Sequence, residues 1–364
     1  DLYEPSSQKN YNIEPSISTS YEIGTEFRLF NNRLWGDFNY YTRDDKDQII
    51  SVTSAPQSGY STRKMNAGLI RNRGVELSLG GMPVSTKNWK WEMNFNIAKN
   101  SNKLVELADG VDSYSIYWTS FTTRLYNYAM VGKSLGVITG NTWERDDNGN
   151  IIFHELSASQ KALYGGEYVP TYNQNTLDEL GNFHPDFTGG FNTSISFKNF
   201  RLSANIDFSV GGQIVSYTNM WGSSSGILDK TAELNDRGVN VREPVSKGGG
   251  IHMTGVDQDG NKVDTYVNAK LYYTTASRVW EEWVYDRTYV KLREVSLSYV
   301  FPSQTLKKLN IGLSRASVAI NASNPWLIYS ACPNVDVSEI GMGYFEGGNA
   351  AATRSIGFTV NLAF

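Results

Sequence analysis

Strict alternation of apolar and polar residues dominates the chain. From Phe200, the apolar positions Phe200, Leu202, Ala204, Ile206, Phe208 and Val210 interleave with Arg201, Ser203, Asn205, Asp207 and Ser209. A period of two over such a run predicts a strand with one apolar and one polar face. Trp89, Trp91, Met93, Phe95 and Ile97 alternate in the same way with Lys90, Glu92, Asn94 and Asn96. Phe187, Gly189, Phe191, Thr193, Ile195 and Phe197 form a third set. The chain ends on Ile356, Phe358, Val360, Leu362 and Phe364, interleaved with Ser355, Gly357, Thr359, Asn361 and Ala363. These runs exceed the ~5–6 residues usual in globular strands. They suit the ~9–11 residues of a strand that crosses an outer membrane. A soluble sandwich with its polar face in water gives the same alternation, so both architectures stay open on periodicity alone.

The connections alternate between short and long. Tight turns are predicted at Asn31-Asn32-Arg33, Ser85-Thr86-Lys87-Asn88, Gly132-Lys133-Ser134-Leu135, Lys198-Asn199 and Pro302 to Leu309. Long polar stretches lie at Ser51–Gly68, Ser101–Ser120, Asp147–Pro185, Gly211–Asp286 and Ser330–Ala350. Outer-membrane barrels segregate short periplasmic turns from long external loops in this manner. About eleven strands follow, near residues 19–30, 34–50, 69–82, 88–100, 120–131, 135–146, 186–198, 200–212, 286–301, 309–330 and 351–364. The alternation near Tyr289 changes phase between Leu292 and Val295, which predicts a β-bulge at Arg293-Glu294. An odd strand count and two lipid-exposed edges do not suit a free-standing barrel, so the chain is expected to be the C-terminal part of something larger.

Aromatic residues near strand ends (Trp35, Tyr40, Tyr41, Trp89, Trp91, Tyr289, Tyr299) fit interfacial girdles, with ordinary cross-strand packing as the plain alternative. The 364 residues are 13% aromatic, which excludes a disordered chain. No apolar run approaches the ~18 residues of a membrane helix. A net charge of −4 leaves no electrostatic footprint for nucleic acid. Cys332 is the only cysteine, so neither a disulfide framework nor a thiolate metal site is expected. His154, His184 and His252 lie far apart and read as loop residues. The opening Asp1-Leu2-Tyr3-Glu4-Pro5 has neither the basic start nor the apolar stretch of a signal peptide, and it lacks an initiator methionine. A mature product or a fragment is expected.

Several segments offer chemistry and mostly fail to carry it. Asp146-Asp147-Asn148-Gly149-Asn150 and Asp257-Gln258-Asp259-Gly260-Asn261 are acidic, but lack the distal bidentate Glu of a calcium loop and read as turns. Gly248-Gly249-Gly250 and Ser223-Ser224-Ser225-Gly226 lack the context of a phosphate loop and read as flexible external loop. The acidic pair Glu281-Glu282 between Trp280 and Trp283 has no partner constellation for glycoside hydrolysis. No nucleophile elbow is present. The chain is expected to have no catalytic residues, no metal and no cofactor.

Several blocks together resemble the SusC/RagA family of TonB-dependent outer-membrane transporters. They are Ile13-Glu14-Pro15 through Tyr21-Glu22-Ile23-Gly24-Thr25-Glu26, then Asn32-Arg33-Leu34, Asn39-Tyr40-Tyr41, Asp47-Gln48-Ile49-Ile50 and Ser58-Gly59-Tyr60. Next come Asn66-Ala67-Gly68 through Gly74-Val75-Glu76-Leu77, then Tyr289-Val290-Lys291-Leu292-Arg293-Glu294 through Tyr299, and the terminal strand from Ala352. The blocks cover nearly the whole chain in family order. Asn334-Val335-Asp336-Val337-Ser338 departs from the family's usual Asp-Pro-Glu, read as loop variation that leaves the fold intact.

The resemblance implies an all-β antiparallel transmembrane barrel, of which residues 1–364 form the C-terminal part. The family type has ~22 strands and a plugged lumen. The plug and TonB box are expected outside this chain. It implies import of a bulky nutrient, such as an oligosaccharide or peptide, across the outer membrane of a Gram-negative, Bacteroidota-type cell. The implied partners are a SusD-like surface lipoprotein, TonB, the barrel-assembly machinery and outer-membrane lipid, with no nucleic acid. Glu92, Asn94, Asn96, Arg201, Asn205 and Asp207 are lumen-facing candidates. Trp221, Trp280, Tyr344 and Phe345 are external-loop candidates for stacking on a solute or packing on a lid. Phe358, Val360, Leu362 and Phe364 form the candidate assembly signal. A structural or assembly component of a larger outer-membrane complex is the alternative function, and a soluble glycan-binding sandwich the third option.

Overall fold

The structure is a computed structural model. It describes residues 7–53, 56–108, 110–120, 123–174, 177–309, 312–340, 344–348, 350 and 352–364. Residues 1–5, the opening without the marks of a signal peptide, lie outside the described residues. Nine strands run in chain order through one antiparallel sheet. They are β1 (Ile17–Leu29), β2 (Leu34–Thr53), β3 (Thr62–Ser85), β4 (Trp89–Glu106), β5 (Phe187–Phe197), β6 (Phe200–Val210), β7 (Tyr289–Val300), β8 (Arg315–Ser330) and β9 (Ser355–Ala363). A short segment, Ser7–Gln8, adds to β3 in parallel at Thr62 and Arg63.

Among the described residues, nine long strands and the short Ser7–Gln8 segment share this sheet, not the eleven long strands expected. The segments expected at 120–131 and 135–146 fold instead as Arg124–Met130 and Val137–Gly140, with residues 121–122 outside the described set. They join Ser113–Ser120 and Asp178–Asn182 in a separate four-stranded sheet. The reason is burial: all four residues of Val137–Gly140 are covered by protein. Alternation cannot distinguish a face packed on a protein core from one packed on lipid. Conversely, β3 and β4 run further than expected, so that residues 62–68 and 101–106 are still strand. Paired backbone there persists after the outward side chains have become charged.

At one end the strands are joined through residues 30–33, 86–88, 198–199 and 301–314; the last holds a helix, Ser303–Leu309, where a simple tight turn was expected. At the 30–33 turn, Phe30, Asn31 and Asn32 all take positive φ (53°, 56° and 62°), which asparagine tolerates best among non-glycine residues. At the other end lie the described residues of the segments 54–61, 107–186, 211–288 and 331–354. The last three build a body with its own core, in which Leu125, Ile138, Trp143, Met220, Trp280 and Trp283 pack together with Tyr344. Residues 211–288 are therefore a packed cap, not the flexible loop expected. Ser223 lies buried in a helix (Tyr217–Ser224), and Gly248 and Gly250 sit at left-handed turn positions.

Register settles which residues share a face. Trp91, Ile195 and Leu202 pair in one row, and Phe95, Phe191 and Ile206 in another. One residue out of phase, Asn94, Asn192 and Asn205 pair, as do Glu92, Ser194 and Ser203. The bulge predicted at Arg293-Glu294 is present: Asn205 pairs with Glu294 and Ile206 with Leu292, leaving Arg293 without an opposite. That extra residue lets Leu292 and Val295 face the same apolar side across the phase change.

Candidate functional site

The polar face carries all six lumen-facing candidates. Glu92, Asn94, Arg201 and Asn205 line one hollow of about 270 Å³ with Glu294 from β7. Lys90 lies 3.0 Å from Glu92 at the turn end of this face. Asn96 pairs with Gly190 on the same face. Asp207 has a different task. It accepts from Arg293 Nε at 2.8 Å and from the Tyr289 hydroxyl at 3.2 Å.

Lys291, Arg293 and Glu294 were not singled out from the sequence as polar-face residues. Lys291 is almost wholly buried, with its side chain 2% exposed. Its Nζ donates to Asp336 at 2.7 Å, to Glu339 at 2.7 Å and to Ser338 at 3.0 Å. Arg293 bridges Asp207 to Glu339. The β8–β9 connection thus folds back onto the polar face of β7. Burial raises the Asp336 carboxyl, but the Lys291 and Ser338 bonds outweigh it and hold the group below its ordinary value. Glu339 is lowered chiefly by its bond from Lys291, with burial opposing and Arg293 adding. The segment that departs from the family's Asp-Pro-Glu pattern therefore keeps acids where the two cations need them.

The same connection locks into the cap. Glu346 is buried and accepts from Ser216 Oγ at 2.8 Å, Thr218 N at 3.1 Å and Gly348 N at 2.7 Å, and also from Thr218 Oγ1. Ser216 caps the helix Tyr217–Ser224 through Asn219 N. The loop aromatics divide accordingly. Trp280 and Tyr344 are buried in the cap core, so neither is open to a solute or a lid, contrary to expectation. Tyr217 covers Trp280 at 5.1 Å between ring centroids. Phe345 is half-buried against Tyr217 and Tyr344. Trp221 alone of the four is well exposed, at 44%. A run of tyrosines that no sequence motif marks is more open. Tyr114, Tyr117, Tyr126 and Tyr128 line a hollow of about 1090 Å³ beside Arg63, Asp112 and Arg124. Their spacing of two and three along adjacent paired strands was the available signal.

Other candidates resolve into structural roles. Glu281 accepts from Arg145 at 2.6 Å and Trp143 N at 3.1 Å, and Glu282 from Trp143 Nε1 at 2.6 Å and the Tyr272 hydroxyl at 3.2 Å. Asp146 accepts from Asn148 N and Asn150 N, and Asp257 from Asp259 N and Asn261 N, so both acids close turns with Gly149 and Gly260 in positive φ. Four of the seven aromatics expected in a girdle lie on the apolar face. Tyr40, Trp89, Trp91 and Tyr299 share the apolar face. Tyr41 bonds Asn100, and Tyr289 bonds Asp207, both on the polar side. Trp35 lies out of phase with Tyr40 and over Gly80, where a Cβ would run into its ring nitrogen. Phe358, Val360 and Leu362 occupy one exposed face of β9, whose outer edge has no strand partner among the described residues, and Phe364 follows at 85% exposure.

Long strands with an apolar face, tight turns at one end and a folded cap at the other define the wall of an outer-membrane barrel. Comparison with known proteins agrees. Residues 1–213 match the family described as TonB dependent receptor-like, beta-barrel. The chain belongs to that family, and its place is the outer membrane. It is 28% identical over 335 residues to TonB-dependent receptor P3 of Formosa agariphila, a match covering 90% of this chain and 31% of the relative. It is 30% identical over 214 residues to TonB-dependent receptor SusC of Bacteroides thetaiotaomicron, covering 56% of this chain and 20% of SusC. Its fold matches the RagAB peptide importer in the open-open state with a TM-score of 0.70 at 18% identity, over 99% of this chain and 36% of that one. The closed-closed state gives 0.67 at 19% identity, over 96% and 35%. The chain spans about a third of the length of the Formosa receptors it matches.

Proposed function

We propose that the chain forms the C-terminal barrel wall and external cap of a SusC-like, TonB-dependent importer of a bulky nutrient, such as an oligosaccharide or a peptide. The observation that carries this is the continuous polar face. Its hollow between Glu92 and Glu294 and the cap anchored to it by Lys291 make a hydrated wall with a built roof. Such a lumen requires side chains that tolerate water and bond a passing polar solute. Glu92, Asn94, Asn96, Arg201 and Asn205 face the solute path, while Asp207 serves the clasp. The tyrosine-lined hollow at the cap offers flat rings for stacking, flanked by charged side chains. Plug and TonB-contacting segments belong to the longer protein. A SusD-like lipoprotein closes the mouth, with Trp221 a candidate contact. Phe358 to Phe364 present the edge that the assembly machinery engages by strand addition.

The test is uptake by cells that carry the full-length gene, its deletion, the deletion complemented in trans, or the full-length gene in a background lacking TonB. A panel of labelled oligosaccharides and peptides supplies the solutes. Loss of TonB-dependent uptake of at least one solute class on deletion is expected. Unchanged uptake of all of them, with a disrupted outer-membrane complex instead, would turn the reading to a structural component.

A further inference from the structure

The apolar face changes chemistry abruptly on three adjacent strands. From the tight-turn end it reads Leu79, Leu77 and Val75 on β3, and Trp89, Trp91, Met93, Phe95 and Ile97 on β4. The next outward positions are Arg73 and Arg71 on β3, and Lys99, Ser101 and Lys103 on β4. Register places Val75 beside Lys99, Arg73 beside Ser101 and Arg71 beside Lys103. On β2 the same face runs Phe38, Tyr40, Thr42, Asp44, Lys46. Arg71 takes both oxygens of Asp44 at 2.7 Å, and one row nearer the cap an exposed second acid, Glu106, pairs with Leu69. Arg73, Lys99 and Lys103 are exposed. Arg71, Arg73, Ser101, Lys103 and Val105 line a hollow of about 300 Å³.

The apolar stretch from Trp89 to Ile97 fits the ~9–11 residues that cross an outer membrane. The cations therefore begin where the hydrocarbon ends, on the cap side, and they point toward lipid. An ordinary solvated face mixes both signs. This one is mostly positive, with Lys46, Arg71, Arg73, Lys99 and Lys103 against Asp44 and Glu106, and it is local. The outward rows of β1, β5, β6 and β9 carry no charged side chain.

We propose that this patch binds the phosphate-bearing headgroup of a lipid of the outer leaflet, a phosphorylated glycolipid of the lipid A type. The Arg73 fork and the Lys99 and Lys103 point charges would hold phosphate oxygens. The apolar rows beneath, continuous with the patch, would carry the acyl chains. Basic clusters bordering an apolar membrane surface recognise anionic lipid by this combination. The inference uses only the outer-membrane placement, so its failure leaves the transport reading standing.

The experiment uses the full-length protein in nanodiscs of zwitterionic phospholipid with a small fraction of lipid A, reading retained lipid by native mass spectrometry. Wild type should retain phosphorylated lipid A several-fold over enzymatically dephosphorylated lipid A. The variant R73Q/K99Q/K103Q should lose that excess, and K198Q at the opposite rim should keep it. Equal retention of the dephosphorylated lipid overturns the proposal, as does retention unchanged by the triple variant. Displacement by inorganic phosphate alone overturns it in favour of a free-anion site. A protein subunit covering Arg73 and Lys103 in the purified assembly also overturns it. Should the triple variant fail to assemble, the comparison of the two lipids on wild type decides.

Discussion

The side-chain amide of Asn66 grips the backbone of Glu14 from both sides. Asn66 Nδ2 donates to Glu14 O at 2.7 Å, and Asn66 Oδ1 accepts from Glu14 N at 2.8 Å. The same Nδ2 reaches Asp47 O at 2.8 Å, where Asp47 and the opposing Gly68 both take positive φ. One side chain thus acts as a strand partner for a segment before β1. Asn66→Ala should release that segment at a local cost of about 1–2 kcal/mol, since the freed groups are near water. Hydrogen exchange checks it: amides around Glu14 should lose protection while those of β5 and β6 keep theirs. Unchanged protection at Glu14 would show that something else holds the segment.

The clasp at Lys291 predicts a pH response with a definite sign. Asp336 and Glu339 are held below their ordinary values. Their contribution is therefore full above the unfolded values, roughly 4, and is lost as pH falls through the lower folded values. Protease protection of residues 331–340 should stay flat from neutral pH to about 5 and fall below about 4. Lys291→Met leaves Asp336 without its cation and Glu339 with Arg293 alone. Breaking a buried pair costs about 3–5 kcal/mol, and the 35% exposure of Glu339 reduces this to about 2–3 kcal/mol. The variant should show the cleavage already at neutral pH.

Trp280 and Trp221 look equivalent in sequence, yet the structure gives them opposite prospects. Trp280 is fully buried, and its Nε1 has no acceptor among the described residues. Trp280→Ala should destabilise the cap by about 3–5 kcal/mol. Trp280→Phe should cost much less, because it keeps a ring and removes an unpaired donor. Trp221→Ala should stay within about 0.5 kcal/mol. Thermal scans that follow cap proteolysis separate the three. A Trp280→Ala cap as stable as wild type would contradict the buried-core assignment.

These cases mark how far the sequence could be read. Strands such as Phe200–Val210 were legible because each position alternates in chemistry as it alternates in space. The Arg293 bulge was legible because it breaks that phase. What escaped depends on partners far along the chain. Val137–Gly140 alternates weakly because it is covered on both faces. Lys291 sits in a recognisable block, but its acids lie some 45 residues onward. Trp280 reads as a loop aromatic until residues 107–186, 211–288 and 331–354 are seen to share one core. Exposure is a property of that assembly, not of the local run.

Cys332 reports on the same assembly. It is 1% exposed, and burial pushes its thiol up to about 12, with the Glu346 charge adding and bonds with Ser216 and Asn219 opposing. The nucleophile is the thiolate, so the folded protein should resist maleimide at pH 7.5 and react only on denaturation. Glu346→Ala removes the acceptor shared by Ser216, Thr218 and Gly348 and leaves buried donors unpaired. A cost of about 3 kcal/mol is expected from that loss. The opened cap should then expose Cys332 and raise its labelling rate at least ten-fold, while Glu281→Gln, whose partners are Arg145 and Trp143, should not. If Glu346→Ala left Cys332 as slow as in wild type, Glu346 could not be what ties the β8–β9 connection to the helix at Tyr217.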